Sequence, residues 1–312
     1  MEIAKVKRRV RLRDLDTLVA VVHTGAMRKA AEQLHLSQAA VSKAVQELER
    51  AFGVALLERS SRGVEATACG QALVRRAKAV FDELQGALRE FEHLGDPAGG
   101  EVHLGCMETL HAGLVGAAVE RLVHQHPRMR FQFESGQSPE LIDHFLRERL
   151  VEFVIARPYV LPLPPGIEGE PLFHDQLRVV VGLESPFARR RRLTLDELAG
   201  ESWILSRNEL LPQTPVVEAF AAAGLPMPAQ RVISGSLNMR YNLLATGRFV
   251  TVMPHSLLPF AKHRSMVRVL PVPLPLWRTP TMILTLQGRT LGPAARLFLA
   301  TVRELAKPLV IG

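Results

Sequence analysis

Residues 28–49 read RKAAEQLHLSQAAVSKAVQELE, and this stretch decides the fold of the amino-terminal region. Its apolar spacing predicts two helices, over 27–34 and 37–52, joined by a turn of three or four residues. Ala31 is small enough for the two helices to cross closely, and Ser37 is a good N-cap for the second helix. The stretch therefore predicts a helix-turn-helix.

The two faces of the second helix differ. We expect four apolar side chains to fill the space between the helices: Leu34, Leu36, Val41 and Leu48. The outward face carries short polar, methyl or cationic groups suited to base edges and phosphates in a major groove: Gln38, Ala39, Ser42, Lys43 and Gln46. An ordinary helical hairpin with a polar outer face has the same pattern, so spacing alone leaves both interpretations open.

A long helix is predicted over 69–94, after a helix that ends near Gly25 and two short strands within 56–67. Its apolar residues fill the d and a positions of about three heptads: Leu73, Val80, Ala87 and Leu94, with Ala77, Leu84 and Phe91. The pattern favours a dimerising coiled coil, and packing against its own domain is the alternative. The segment 96–100 reads as a helix stop and a flexible linker.

From Glu101 onward the pattern changes, and predicted strands alternate with predicted helices. This alternation favours α/β architecture with mainly parallel strands. A stretch rich in Pro and Gly, 158–169, favours a division into two lobes. The predicted strands are 102–104, 130–133, 151–156, 178–181, 203–205, 232–234, 249–253, 267–270 and 282–286.

Composition narrows the class of protein. The 312 residues include 39 basic and 31 acidic side chains, and residues 1–95 hold 16 and 12 of these, an excess that attracts polyanions. Hydrophobic residues make up 47%, which excludes disorder. No apolar run suits a membrane span and no segment reads as a secretory signal, so the expected location is cytoplasmic, with no membrane partner.

The sequence contains few residues that suggest a catalytic, metal or cofactor site. Two cysteines, Cys69 and Cys106, cannot form a disulfide framework or fill a metal site alone, although Cys106 precedes a predicted helix and could have a depressed pKa. We find no phosphate loop, nucleophile elbow or zinc motif, and so predict no catalytic residue, metal or cofactor. Two rival classes are an exported solute-binding receptor built on 101–312 and an α/β enzyme with a dimerisation arm.

Residues 28–49 resemble the LysR-type transcriptional regulator family, together with Leu56-Leu57-Glu58-Arg59 and Thr67-Ala68-Cys69-Gly70. The resemblance covers the whole chain. Four later stretches match the second lobe of the family: 171–182, which begins Pro171-Leu172-Phe173, then 193–198, 203–205 and Met253-Pro254. With 240–249, these stretches look most like regulators of sugar-binding proteins. Ala26-Met27 and Ala39 depart from the frequent Ser-Phe and Pro of the family.

The resemblance implies an α+β multidomain fold: a winged helix-turn-helix over 9–67, a linker helix over 68–95, a hinge at 96–100 and a two-lobed effector domain over 101–312 that resembles periplasmic binding proteins. Lobe I would comprise about 101–160 and 268–312, and lobe II about 161–267. The expected partners are a double-stranded DNA operator, a second copy of the chain, a dimer of dimers and RNA polymerase.

Residue roles on DNA follow from the resemblance. The helix that starts after Ser37 would enter the major groove, with Gln38, Ala39, Ser42 and Gln46 near bases and Lys43 on phosphate or guanine. Arg59 and Arg62 would reach the DNA from the wing. Arg28 and Ser37 complete the predicted DNA-binding set.

An effector pocket is predicted where ligands sit in open α/β lobes, beyond the carboxyl ends of strands and facing helix N-termini. Its candidate residues lie in four such turns: Glu108, Thr109, Ser138, Arg207 and Ser236. Converging amides and one guanidinium favour a small anionic or polyhydroxylated ligand. By resemblance, Thr109 holds the position of a Ser or Thr that contacts the effector. Each residue could instead be only a helix cap.

Overall fold

The computed structural model describes residue 6 and residues 8–60, 63–96, 99–260 and 262–310. The chain divides into two compact units, Met1–Leu88 and Arg89–Gly312. Within these described ranges, no helix is both long and apolar enough to cross a membrane.

The first unit contains the predicted helices and ribbon, with ends within one or two residues of expectation. Its elements are α1 Leu12–Thr24, α2 Met27–Gln33, α3 Gln38–Phe52, β1 Leu57–Ser60, β2 Gly63–Ala66 and α4 Ala68–Gly95. The ribbon is antiparallel, with Leu57 opposite Ala66. Gly25 ends α1 in the left-handed region at φ 66°, which glycine adopts without strain. The sequence therefore predicts this local architecture correctly.

The interior of the first unit differs from expectation at one position. Val41 and Leu48 are buried and Leu34 is partly buried, but Leu36 is 49% exposed, so its predicted place between the helices is wrong. The turn explains this: His35 adopts a left-handed φ of 54°, and the amide of Leu36 bonds back to the carbonyl of Ala31 at 2.9 Å. The backbone thereby closes on α2 while the Leu36 side chain points away.

The start of α4 is fixed by the Thr67–Gly70 segment. The Thr67 hydroxyl accepts the Gly70 amide at 3.0 Å and donates to the carbonyl of Ala55 at 2.8 Å. A Cβ at Gly70 would lie 2.0 Å from the Leu56 carbonyl oxygen, so only glycine permits this approach. The Thr67–Gly70 segment thus holds the start of α4 against the rest of its own domain.

The second unit contains two five-stranded sheets, which define lobe I and lobe II. The sheet of lobe I has the order β4-β3-β5-β12-β6 and that of lobe II β11-β7-β10-β8-β9. The lobe I strands are β3 Gly99–Cys106, β4 Arg128–Ser135, β5 Phe153–Ala156, β6 Ile167–Phe173 and β12 Thr281–Leu286. The lobe II strands are β7 Leu177–Gly182, β8 Ser202–Leu205, β9 Gln230–Ile233, β10 Phe249–Pro254 and β11 Val267–Val269.

Helices cover both sheets. In lobe I, Leu114, Leu122 and Phe298 pack under the sheet from the helical layer. In lobe II, Trp203 and Phe220 form the corresponding core. The helical segments are α5 Glu108–Leu110, a π-helix His111–Val115, α6 Gly116–Gln125, α7 Ser138–Glu140, a π-helix Leu141–Leu146, α8 Asp196–Ala199, a 3-10 turn Asn208–Leu210, α9 Pro215–Ala222, α10 Leu237–Leu244, 3-10 turn Lys262–Met266, α11 Pro293–Ala306 and 3-10 turn Lys307–Leu309.

The expectation of mainly parallel strands is wrong. Parallel pairing joins β3 to β4 and β5, and β8 to β9 and β10, while the pairs that involve β6, β7, β11 and β12 are antiparallel. The chain leaves lobe I after β6 and returns to it at β12, and the strands flanking these crossings run against their neighbours. Crossing between lobes, which strand composition does not reveal, produces the mixed sheets.

Three boundary expectations also change. Pro171 and Phe173 were assigned to lobe II, yet β6 pairs with β12 in lobe I, so the crossing follows Phe173 rather than the stretch 158–169. Arg268, placed in lobe I, pairs with Val181 in lobe II. Gly99 and Gly100, predicted as linker, open β3 and pair with Arg128 and Met129.

Candidate functional site

The α3 helix of the first unit is held by its cap and its buried face. The Ser37 hydroxyl accepts the Ala40 amide at 3.2 Å, as expected of an N-cap. Val41, Val45 and Leu48 are buried on one side of the helix. Gly53 ends the helix with a left-handed φ of 68°. Because both ends and one face are fixed, the opposite face is presented in a defined orientation.

The outward face of α3 carries the predicted DNA-binding residues. Gln38, Ala39, Lys43 and Gln46 are exposed, and Ser42 is half-buried. Donors, a methyl group and a cation therefore lie on one helix face without burial by the rest of the described chain. This arrangement suits a major groove, into which an α-helix fits.

The arginines of the predicted set are placed differently. Arg28 is exposed on α2 and pairs with Glu32 at 2.7 Å, one helical turn away. The backbone of Arg59 lies in β1 opposite Val64. The side chain of Arg59 and all of Arg62 lie outside the described residues, so their predicted role on the wing stays a prediction.

The predicted heptad seam on α4 splits into two parts. Ala77 is buried in the core of the first unit with Leu15 and Leu48, so the amino-terminal part of the seam packs against its own domain. Further along α4, apolar side chains are exposed by 41% to 74%. This exposed strip comprises Val80, Leu84, Leu88, Phe91 and Leu94. Leu88 joins it although the heptad pattern did not include it.

In the second unit, the predicted effector turns lie at the carboxyl ends of β3, β4, β8 and β9, and two side-chain contacts join the lobes there. Glu108 accepts the amide of Leu237, the first residue of α10, at 3.1 Å. Gln137 accepts a hydrogen bond from the side-chain amide of Asn208. Ser236 caps α10 by accepting the Met239 amide at 3.3 Å. Glu108 and Ser236 thus meet at one helix N-terminus.

The other three candidates do not meet in this way. Ser138 is buried and donates to the backbone carbonyl of Arg157 at 2.5 Å, which fixes the backbone there. Thr109 is half-buried and Arg207 is exposed. The cluster predicted from sequence is therefore only partly assembled, and its one guanidinium lies at the surface.

Sequence reasoning missed two arginines near these turns, of which Arg240 is buried and Arg157 is half-buried. Arg240, which is 4% exposed, forms a two-pronged ion pair with Glu209, at 3.0 and 2.7 Å. It also donates to the carbonyls of Val252 at 2.7 Å and Ser234 at 3.2 Å. Glu209 in turn accepts the amide of Ser206 at 2.6 Å. This network ties the turn after β8 to α10.

Arg157 follows β5 and lies over the ring of Trp277, with 4.0 Å between the guanidinium carbon and the ring centroid. Its Nε is buried without a hydrogen-bond partner among the described residues. Burial lowers the pKa of Arg157 to about 10, while Asp175 and Glu209 act in the opposite direction. The guanidinium therefore stays charged at neutral pH. In the sequence, the only signal for Arg157 is its position directly after a predicted strand, 151–156.

Two further groups lie at the ends of lobe I strands. The ring of His111 shares a hydrogen bond with the Ser135 hydroxyl at 2.9 Å and contacts the Phe133 ring edge-on, with centroids 5.1 Å apart. Burial lowers the pKa of His111 more than Glu108 raises it. Burial also raises the pKa of Cys106 well above its ordinary value, so the expectation of a depressed pKa is wrong. Nowhere in the described chain do three His, Cys, Asp or Glu residues group into a possible metal site.

Comparisons with known proteins fit both units. Residues 12–71 match the family model described as bacterial regulatory helix-turn-helix protein, lysR family, and residues 95–307 match the LysR substrate binding domain. The HTH-type transcriptional regulator GbpR of Azospirillum brasilense is 29% identical over 96% of this chain and 87% of its own length. A probable hydrogen peroxide-inducible genes activator of Streptomyces viridosporus is 30% identical, covering 84% of this chain and 83% of its own.

Solved structures share the fold. ArgP from Mycobacterium tuberculosis aligns with a TM-score of 0.68 at 19% identity, over 96% of this chain and 98% of that chain. Full-length CbnR complexed with its target DNA aligns with a TM-score of 0.54 at 22% identity, over 95% and 100%. The substrate-domain match alone covers more than half of the chain. The chain belongs to the LysR family of DNA-binding, helix-turn-helix transcription regulators.

Proposed function

We propose that this regulator binds its operator as a homodimer, with the outward face of α3 in the major groove, and that a small metabolite held between lobe I and lobe II alters the DNA complex. The observation that carries the proposal is that face: Gln38, Ala39, Lys43 and Gln46 are exposed while the opposite side of α3 is buried.

Roles on the operator follow from side-chain chemistry. Gln38 and Gln46 can pair with base edges, and the Ala39 methyl can contact a thymine methyl. Lys43 is suited to phosphate or guanine, and Ser42 lies at the rim of the same face. Arg28, already paired with Glu32, would contribute through the backbone phosphates.

The test is operator binding across several salt concentrations. Gln38→Ala is expected to weaken binding by roughly 5- to 150-fold and to relax base preference at one position, because a bidentate base contact is worth about 1–3 kcal/mol. Lys43→Ala is expected to weaken binding to all sequences and to reduce the slope of log affinity against log salt by about one.

Arg147→Ala is the matched control, since Arg147 is an arginine of the second unit that pairs with Asp143 at 3.2 Å. It is expected to bind the operator as the wild type does. Unchanged affinity in both Gln38→Ala and Lys43→Ala would remove α3 from the DNA interface and end the proposal.

Dimer formation is supported by the exposed strip on α4. A helix face with Leu84, Phe91 and Leu94 exposed by 46%, 66% and 74% is typical of a surface that a second helix covers. A dimer of dimers and contact with RNA polymerase rest on the family resemblance alone. The expected operator has half-sites spaced by about one helical turn or multiples of it.

The effector would act by linkage. A ligand can shift the DNA complex only as far as its affinity differs between the two arrangements of the regulator. The contacts of Glu108 with Leu237 and of Gln137 with Asn208 join the lobes, so a ligand placed there would change how the lobes meet. The expected readout is a footprint that changes in length or spacing when the effector binds.

Peroxide sensing is the second candidate, because some similar proteins are named hydrogen peroxide-inducible genes activators. The cysteines of this chain argue against it. Cys106, the cysteine of the second unit, is buried with a raised pKa, whereas a peroxide-reactive thiol is accessible and has a low pKa. Cys69 is exposed but lies in the first unit, outside the effector-binding unit. Operator affinity is therefore expected to be the same before and after peroxide treatment; a change that disappears in Cys106→Ser would reverse this conclusion.

A further inference from the structure

Two arginines in the second unit, the buried Arg240 and the half-buried Arg157, differ in how their donors are used. The terminal nitrogens of Arg240 donate hydrogen bonds to the Glu209 carboxylate and to the carbonyls of Ser234 and Val252. Arg157 donates no hydrogen bond to any described residue, and its guanidinium lies over the face of the Trp277 ring. A buried N–H group without an acceptor, such as Nε of Arg157, is unfavourable unless another group supplies one. Arg240 thus has both terminal nitrogens bonded within the protein and only its Nε unpaired, whereas no guanidinium nitrogen of Arg157 is bonded to a described residue.

The acids nearest to Arg157 are already engaged. One oxygen of Asp175 accepts the amides of Gln176 at 2.9 Å and Ser256 at 3.1 Å, and the other accepts the Ser256 hydroxyl at 2.5 Å. Glu209 is bound by Arg240 and by the Ser206 amide. Both acids offset the charge of Arg157 from nearby without occupying its N–H groups. The fork of donors on Arg157 therefore remains available to a ligand.

The guanidinium is also held in place. The Ser138 hydroxyl donates to the Arg157 carbonyl and so fixes the backbone at the carboxyl end of β5 in lobe I. Trp277 is fixed by its own amide, which donates to the Asp175 carbonyl at 3.1 Å, and by its carbonyl, which lies 3.0 Å from His174 Nδ1. The indole Nε1 of Trp277 is a second buried donor that finds no acceptor in the described part of the chain. Because both side chains are fixed beforehand, a ligand would lose little freedom in ordering them.

We propose that Arg157, stacked on Trp277, binds a carboxylate group of the effector; this inference rests on the proposed effector site between the lobes. A guanidinium presents parallel N–H groups that match the two oxygens of a carboxylate. The two positive side chains, Arg157 and Arg240, and the two negative ones, Asp175 and Glu209, sum to zero charge. Each negative charge that a ligand adds is therefore left without a compensating charge, so a carboxylate with one negative charge fits better than a phosphate with up to two. The effector class is accordingly a small organic acid.

Formate and formamide test the site without knowledge of the effector, since they differ mainly in the carboxylate charge. The full chain is titrated with sodium formate at constant ionic strength while tryptophan emission is followed. Trp277 lies under Arg157, and the other tryptophan, Trp203, is buried with its Nε1 bonded to the Leu198 carbonyl at 2.8 Å. Formate is expected to change the emission saturably and formamide is not, and Trp277→Phe is expected to remove the response.

Arg157→Gln is expected to weaken formate binding by roughly 10- to 150-fold, because a hydrogen bond to a charged group is worth about one to two times RT ln 10. Arg157→Lys, which keeps the charge but not the fork, is the second variant should Arg157→Gln fold poorly. It is expected to bind formate more weakly than the wild type. Arg278→Gln, which removes an exposed arginine paired with Glu218, is the matched control and is expected to respond as the wild type does.

Three outcomes would overturn the inference. Formamide acting like formate would show that charge is not recognised, and an unchanged formate response in Arg157→Gln would place binding elsewhere. Inorganic phosphate binding more tightly than formate would replace the carboxylate with a phosphate group. Failure of the wild type to bind any operator would instead contradict the proposed function and leave the formate result standing.

Discussion

The outward face of α3 and the cleft between the lobes are both candidate binding sites, but they are built in opposite ways. On α3, the candidate residues lie within nine consecutive positions, 38–46, and all of them except the half-buried Ser42 are exposed. In the cleft, Arg157, Glu209 and Arg240 come from distant segments and are buried in one electrostatic network. A change on α3 should therefore affect DNA binding alone, whereas a change in the cleft should affect stability as well.

Removal of Arg240 is expected to have the largest effect. Arg240→Ala leaves Glu209 with a buried, uncompensated charge, and loss of one member of such a pair destabilises by about 3–5 kcal/mol. Urea unfolding followed by tryptophan emission measures this loss, because both tryptophans, Trp203 and Trp277, belong to the second unit.

An exposed ion pair provides the contrast. Arg278→Gln breaks the pair with Glu218, in which the arginine side chain is 73% exposed, and is expected to lower the free energy of unfolding by less than about 1 kcal/mol. The double variant Arg240→Met with Glu209→Gln is expected to recover much of the stability lost in Arg240→Ala. Equal losses in Arg240→Ala and Arg278→Gln would show that burial does not separate the cleft from the surface.

The exposed strip on α4 predicts the next largest effect. Phe91→Lys places a charge where an apolar ring, 66% exposed in the single chain, would be buried by a second copy. Loss of roughly 2 kcal/mol from each copy would weaken dimerisation by at least about 100-fold. Sedimentation velocity over a concentration series measures the shift towards monomer. Val123→Lys, which alters an exposed valine on α6, should sediment like the wild type, and a similar shift in both variants would remove the strip from the interface.

Ser37 tests whether the cap of α3 acts locally. Ser37→Ala removes the oxygen that accepts the Ala40 amide and is expected to destabilise the first unit by about 1 kcal/mol. Ser37→Asp supplies another acceptor at the N-cap and should retain most of the stability. Thermal unfolding followed by far-UV circular dichroism compares the three proteins; an identical midpoint for Ser37→Ala and the wild type would contradict the role of the cap.

The difference between the two sites also explains what the sequence could predict. Capping, apolar spacing and the turn are local properties, so α3, its Ser37 cap and its outward residues were predictable from one contiguous segment. Arg157 and Trp277 come together only because β5 and the segment before β12 end beside each other in lobe I. The two crossings between lobes determine that arrangement, and no local pattern at Phe173 or Asp175 records them. Leu36 shows a smaller limit, since one left-handed residue before it turned an expected core side chain outward.

The smallest predicted effect concerns pH and His111. Burial lowers the pKa of His111 below its unfolded value of 6.5, with Glu108 acting against this shift. Below about pH 6.5 the unfolded chain therefore binds a proton that the folded chain resists, so the free energy of unfolding falls as pH drops and is unaffected above that range. The expected loss between about pH 7 and pH 5 is small, because His111 is only partly buried and solvent screens its charge.

His111→Gln is expected to flatten this part of the stability curve, measured by urea unfolding with tryptophan emission at each pH. Burial and Arg178 also lower the pKa of His255, against the opposing effect of Asp175, so the single variant should remove only part of the slope and the double variant with His255→Gln more. His124→Gln, an exposed imidazole near the end of α6, is the control. A slope that is the same in the wild type and the double variant would mean that His111 and His255 are protonated as easily in the folded chain as in the unfolded chain, which would contradict the pH dependence expected from their lowered pKa values.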